Sequence, residues 1–224
     1  MRYREIIAPL ALCGLLCGCA HTSNDIATSA PVNWSAERGK KVLPVDPDVE
    51  LNELTFGGVA ELRADWTQTG KSFIKADIAS MLQAKGIATA SADGISDPHE
   101  VQLVKLHGVV GQSILQNTLV PLPTKKNNFD WTLGSGVAAL RDHYQADYAL
   151  FVYVRDSYSS GSRMAFAVLT MSPTGAMQTG FASLVDLRTG RVVWFNRLIS
   201  STGNLKEEKP AAASVNNLLD GLPL

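Results

Sequence analysis

The chain predicts a mixed α/β fold of the α+β kind, a two-layer arrangement with antiparallel hairpins near the C-terminus and helices packed on the sheet. Three observations predict it. Tyr148–Val154 is an almost unbroken apolar, aromatic and β-branched run, the pattern of a strand covered on both faces. After it come Arg163–Met171, Gln178–Leu187 and Arg191–Ile199, each read as a strand and separated by turn chemistry. Ahead of it lie three segments whose apolar residues recur at helical spacing, and a fourth closes the chain. Helices before a block of strands give an α+β sheet.

The first residues stand apart from that fold. Arg2 and Arg4 precede a short apolar run, Ile6–Gly18, ending in Leu16-Cys17-Gly18-Cys19. The run is too short to span a bilayer and has the layout of a signal peptide. Leucine at −3 and glycine at −1 before Cys19 resemble a bacterial lipoprotein signal, which implies cleavage after residue 18 and fatty acylation of Cys19. Ala20 in the next position, rather than aspartate, favours the outer membrane. All three cysteines lie at positions 13, 17 and 19. Cleavage before Cys19 therefore leaves a domain with no disulfide to form and no thiolate to react. Residues 19–40 are rich in Ser, Thr, Asn, Ala and Pro and read as a lipidated cysteine on a flexible tether. Residues 41–224 read as a single periplasmic domain, a length that needs no second core.

Lys41–Val45 is a short first strand, confined to an edge or an end because Pro44 cannot donate to a ladder. From Leu62 to Lys85, the residues Trp66, Phe73, Ile74, Ile78, Met81 and Leu82 mark a helix stopped by Gly86. Ile87–Ala90 reads as a short strand. Asp97-Pro98-His99-Glu100 is a helix start, with an N-cap, proline at the first position and an acid at the third. Leu103, Leu106, Val110 and Ile114 form its buried stripe, and Pro121 and Pro123 close it. Asp130 caps a further helix bearing Leu133, Val137, Leu140 and Tyr144. Asp186–Gly190 is a three-residue hairpin whose glycine takes positive φ. The last helix runs from Pro210 to Leu219 and buries Ala213, Val215, Leu218 and Leu219.

Gln145-Ala-Asp-Tyr-Ala-Leu150 and Asp186-Leu-Arg-Thr-Gly-Arg-Val-Val-Trp194 resemble two signatures of a broad group of envelope lipoproteins. That group includes the curli-secretion lipoprotein and the amino-terminal domain of the Tol-Pal translocation protein. Gln145 stands where the group has glycine. The resemblance implies a domain that acts by docking to partner proteins, without shared enzymatic activity. It implies no catalytic residue, cofactor or metal.

Composition points the same way. A net charge of −1 and 18% charged residues leave no electrostatic footprint for nucleic acid. Ser72-Phe-Ile-Lys75 has the spacing that activates a serine nucleophile in penicillin-recognising enzymes. Arg188-Thr-Gly190 and Ser214-Val-Asn216, its would-be companions, come in the wrong order. His21, His99, His107 and His143 show no metal-chelating spacing and read as solvated or cap-like. The candidate partner-binding stretch is a loop from Arg155 to Arg163, where Arg155, Asp156, Tyr158 and Arg163 combine charge and an aromatic ring with small residues. Met164–Met171 is too apolar to lie exposed. It reads as a core strand or a surface shared between subunits. The expected role is a non-enzymatic binding or assembly accessory on the periplasmic face of the outer membrane. A homo-oligomeric ring or secretion-pore subunit is the alternative, and a serine-acyl enzyme using Ser72 and Lys75 ranks below it.

Overall fold

The computed structural model describes residues 22–23, 26–28, 37, 39–91, 97–125, 128–201 and 203–224. The signal segment, Cys19 and His21 lie outside the described residues. The strands are β1 (Thr22–Ser23), β2 (Ile26–Thr28), β3 (Val42–Pro44), β4 (Asp48–Leu54), β5 (Ala60–Leu62), β6 (Tyr148–Ser159), β7 (Gln178–Asp186) and β8 (Val192–Ser200). Their order in one sheet is β1-β8-β7-β6-β4-β5, with β2 also on β8 and β3 also on β6. β3 and β4 run parallel to β6, and the other pairs are antiparallel. The expected α+β class, a mixed sheet with antiparallel hairpins and packed helices, is the class observed, but in three layers rather than two, because helices flank the sheet on both faces.

β6 is the spine. Its residues alternate between two cores, as a period of two requires. Leu150, Val152 and Val154 face α1 (Ala64–Ala84) and α5 (Glu208–Leu218), meeting Ile74, Ile78, Leu82, Val215 and Leu218. Ala149 and Phe151 face α2 (Pro98–Leu119) and α3 (Ala138–Tyr144), meeting Leu103, Ile114 and Leu140. Helices thus cover both faces of the sheet, which is why the Tyr148–Val154 run carries no polar alternation.

Several element ends follow the sequence closely. Asp97 caps α2 by accepting from His99 N at 2.8 Å, with Pro98 in the first turn. Gly86 at φ 69° closes α1, and Ile87 N donates back to Leu82 O at 2.9 Å. In the β7–β8 turn, Gly190 at φ 73° donates to Asp186 O at 2.8 Å, while Asp186 Oδ1 accepts from Arg188 N at 2.7 Å. Pro44 ends β3 and Pro47 sits in the gap before β4, so one edge is laid against β6 in two pieces.

Other ends differ from expectation. Asp130 caps no helix; it binds Lys125 at 2.7 Å, and a 3-10 turn over Ser135–Val137 starts the helical segment instead. Leu106 is exposed, and His107 takes the buried place on α2, because the stripe is set by Glu100, Leu103, His107, Gly111 and Ile114 at spacings of three to four. Ala213 is exposed, and Ser214 is buried in its stead. Ile87–Ala90 contributes an isolated parallel bridge between Thr89 and Val42 rather than a strand. Two pieces of the segment expected as a free tether, β1 and β2, pair with β8.

Arg163–Met171 is not a strand. It is the helix α4 (Gly161–Thr170), capped by Ser160 and ended by Met171 at φ 53°. The reason is in the sheet: both edges of β6 are already taken by β4 and β7. The segment projects beyond them, and as a helix it satisfies its backbone within itself.

Candidate functional site

β4 and β6 end, and β7 begins, at the same end of the sheet, where Leu54 opposes Ser159 and Asp156 opposes Gln178. Two apolar projections rise there. The β4–β5 turn is built by Thr55, whose Oγ1 accepts from Val59 N at 3.2 Å, and by Gly58 at φ 81°. α4 is fastened beside it. Ser160 N donates to Leu54 O at 2.9 Å, Arg163 Nε to Thr174 O at 2.6 Å, and Phe56 and Phe166 meet edge-on at 5.2 Å. Of the α4 residues only Ala167 is buried. Val168, Leu169 and the following Met171 are 74%, 83% and 96% exposed.

Below these projections lies a buried polar knot. Asp156, 2% exposed, accepts through Oδ2 from Tyr158 OH, from Gln178 Nε2 at 3.0 Å and from Leu205 N at 3.3 Å. Gln178 Oε1 in turn accepts from Ser214 Oγ at 2.8 Å, which ties α5 to β7. Burial pushes the Asp156 carboxyl above its ordinary value, although the donated hydrogen bonds pull the other way. Burial and the neighbouring Asp156 push the Tyr158 hydroxyl up as well.

The four candidate binding residues therefore do not form a loop. Residues 155–159 are the second half of β6, held in two ladders at once, a length of pairing that the small residues around Tyr158 concealed. Asp156 is sealed in the knot. Arg155 reaches Asp48 at 2.9 Å and Glu50 at 3.1 Å and lies 3.9 Å over the Tyr153 ring. Burial pushes Asp48 up, but Lys105 and Arg155 outweigh it and hold the carboxyl below its usual value. Tyr158 packs edge-on against Trp66 at 5.6 Å. Arg163 alone stands at the apolar end, its guanidinium turned inward onto the Thr174 carbonyl.

The serine motif does not assemble. Ser72 Oγ donates to Thr69 O at 2.7 Å within its own helix. Lys75 Nζ and Lys71 Nζ instead hold Asp46, at 2.8 and 2.5 Å. His107 Nε2 does meet Ser183 Oγ at 2.9 Å, but each is 1% exposed and no substrate reaches them. His107 is neither solvated nor a cap. It stacks on Phe151 at 4.9 Å, and burial pushes its pKa down to about 3. His143 and Tyr144 both reach the buried Glu100, each at 3.0 Å, clamping α3 to α2. Among the described residues, no three His, Cys, Asp or Glu converge as a metal site. No described helix is long and apolar enough to cross a membrane.

No family model and no curated protein sequence matches the chain. Solved structures similar to it include two crystal forms of the PelC dodecamer from Paraburkholderia phytofirmans. Both are 14% identical, at TM-scores of 0.43 and 0.41, covering 89% of this chain and 96% and 95% of that one. Lipoprotein GNA1162 from Neisseria meningitidis is 16% identical at a TM-score of 0.35, over 82% of this chain and 97% of that one. The LpoB C-terminal domain from Salmonella enterica is 15% identical at 0.29, over 72% and 82%.

Sequence reasoning missed the apolar end because α4 has the composition of a core strand. Ser160 before Gly-Ser-Arg163, an N-cap residue three positions ahead of the run, was the available signal for a capped helix.

Proposed function

We propose that this chain is an outer-membrane-anchored periplasmic lipoprotein, a non-enzymatic binding and assembly accessory of the cell envelope. The observation that carries the reading is the apolar, protruding end formed by α4 and the β4–β5 turn, whose one charge, Arg163, is turned inward, on a domain whose polar constellations are spent on its own fold. Asp46, Asp48, Asp156 and Glu100 are each held by named partners. The lipoprotein signal before Cys19 supports the compartment, and Arg163 is the candidate binding residue that remains at the exposed end. Intact mass of the mature protein tests it: a diacylglyceryl-modified Cys19 is expected, lost in Cys19→Ser. An unmodified mature chain released from membranes would refute the anchor, and turnover of a cell-wall or ester substrate would refute the accessory role.

A ring or pore subunit is the second reading. It is favoured by the outer face of α2, where Val101, Leu106 and Val109 are exposed. Sedimentation of the acylated protein in detergent separates the two, since a monomer excludes the ring.

A further inference from the structure

The strands give the molecule a direction. β8 ends at Ser200, opposite Gln178 of β7, and Gln178 pairs with Asp156 of β6. This is the end from which α4 and the β4–β5 turn project. β1 is antiparallel to β8 and begins there, with Thr22 opposite Ser200, and the chain then descends so that Thr28 lies opposite Trp194. Cys19 is three residues before Thr22. The strand that follows Cys19 in sequence therefore enters the sheet at the end that bears the apolar projections.

We infer that α4 and the β4–β5 turn are a membrane-docking surface, seated in the headgroup–acyl boundary of the leaflet that holds the Cys19 acyl chains. The inference rests on the lipoprotein reading and adds which face meets lipid.

Three features select lipid over a protein groove. First, a groove covers one side of a helix, whereas successive helical residues point about 100° apart. Met164, Leu169 and Phe166 are exposed at azimuths about 0°, 140° and 200° around α4, and only Ala167 is buried. Lipid tails surround such a helix without needing a shaped complement. Second, charge is sparse on the two projections. From Ser157 to Val185 the only charged residue is Arg163, and its guanidinium is bound to the Thr174 and Phe56 carbonyls. The turn Thr55–Ala60 carries no charge either. Third, α4 satisfies its own backbone, as any element entering an apolar phase must. Its ten residues fit a helix lying in the interface, where apolar faces sink about 5–10 Å. Phe56 beside Phe166 supplies an aromatic pair at that level.

The mature chain offers a clean test, because cleavage ahead of Cys19 leaves no free thiol in the domain. Leu169→Cys and, at the opposite end, Arg188→Cys would each be nitroxide-labelled on the acylated full mature protein. Both would be reconstituted into phosphatidylethanolamine–phosphatidylglycerol vesicles. Both positions are strongly exposed, so neither change disturbs the fold. Collisions with oxygen are expected to exceed those with a water-soluble nickel complex severalfold at 169, with the order reversed at 188. A label at 169 as accessible to nickel as the label at 188 would overturn the inference. A shielded but dipolar-broadened label would overturn it too, because the surface would then be covered by a second copy. Intact mass separates the two levels of failure: an acylated chain with a wet 169 label sinks this inference alone, and an unacylated chain sinks the anchor with it.

Discussion

Two glycines one turn apart on α2 make opposite predictions for the same substitution. In an open helix, Gly→Ala is stabilising by roughly 1 kcal/mol. At Gly108 an added Cβ would rest 3.4 Å from the Tyr153 ring, a near-ordinary contact, so Gly108→Ala should keep most of that gain. At Gly111 the Cβ would overlap the Phe181 ring. That ring has no escape, being 0% exposed and stacked on Tyr153 at 4.6 Å and Phe195 at 5.5 Å. Either α2 lifts from the sheet or three aromatic rings shift. Overpacking of this kind costs about 1–3 kcal/mol, and a clash with a locked ring belongs at the upper end or above it. Net destabilisation of about 2 kcal/mol is expected, or roughly 4–8 °C in Tm for a domain of this size. Urea unfolding of the mature domain measures it. Phe181→Leu supplies the internal check, since once the ring is gone Gly111→Ala should become neutral or favourable. The resulting coupling would be about 2 kcal/mol, typical of residues in contact. Gly111→Ala raising stability as much as Gly108→Ala would refute the packing of α2 on this sheet face.

Three further outcomes are expected. His107 is held neutral by burial, with its pKa near 3 against 6.5 when unfolded. Its contribution is present above pH 6.5 and is lost as pH falls toward 3, on the order of a few kcal/mol in all. His107→Gln, which retains a donor for Ser183, should therefore lose less stability than the parent between pH 7 and pH 4 in urea titrations. Asp156 has the opposite sign: its folded pKa is raised, so its contribution is largest in acid and declines as pH rises past the ordinary carboxylate value. Asp156→Asn keeps an acceptor for Gln178 and Leu205, and its stability relative to the parent should improve as pH rises from the ordinary carboxylate value through the raised folded one, then level off. Gln145 occupies a left-handed conformation at φ 50°, partly compensated by its side-chain bond to Asp142 O at 2.7 Å. Gln145→Gly should raise stability by up to about 1 kcal/mol in thermal unfolding.

Much of this architecture was legible because it is written in local chemistry. Asp97-Pro98 starts α2, Gly86 stops α1, and Asp186 with Gly190 folds the hairpin, all through contacts within a few residues. Tyr148–Val154 announced its double burial by lacking polar alternation. The failures share a physical cause. Whether Met164–Met171 is buried depends on whether a strand edge is free to receive it, and that is fixed by β4 and β7, far away in sequence. His107 is polar by composition but sits where the α2 stripe meets Phe151 and Phe181. Residues 155–159 looked like a recognition loop because arginine, tyrosine and serines are loop-like in isolation. Only the sheet register shows that Asp156 points into a closed knot. The Ser72–Lys75 motif was discounted from its order along the chain, and the ion pairs on Asp46 give the geometric reason.

The β7–β8 turn is stitched to a segment more than fifty residues upstream. Gly190 O accepts from Leu133 N at 2.8 Å and from Thr132 Oγ1 at 2.9 Å, Val192 N donates to Trp131 O at 2.9 Å, and a side chain at Gly190 would collide with the Gly134 carbonyl. Neither strip can peel away while the other stays put. Amide protons from both should consequently trade with deuterated solvent in step, as a single cooperative patch, even though one belongs to a hairpin and the other to the lead-in of a helix.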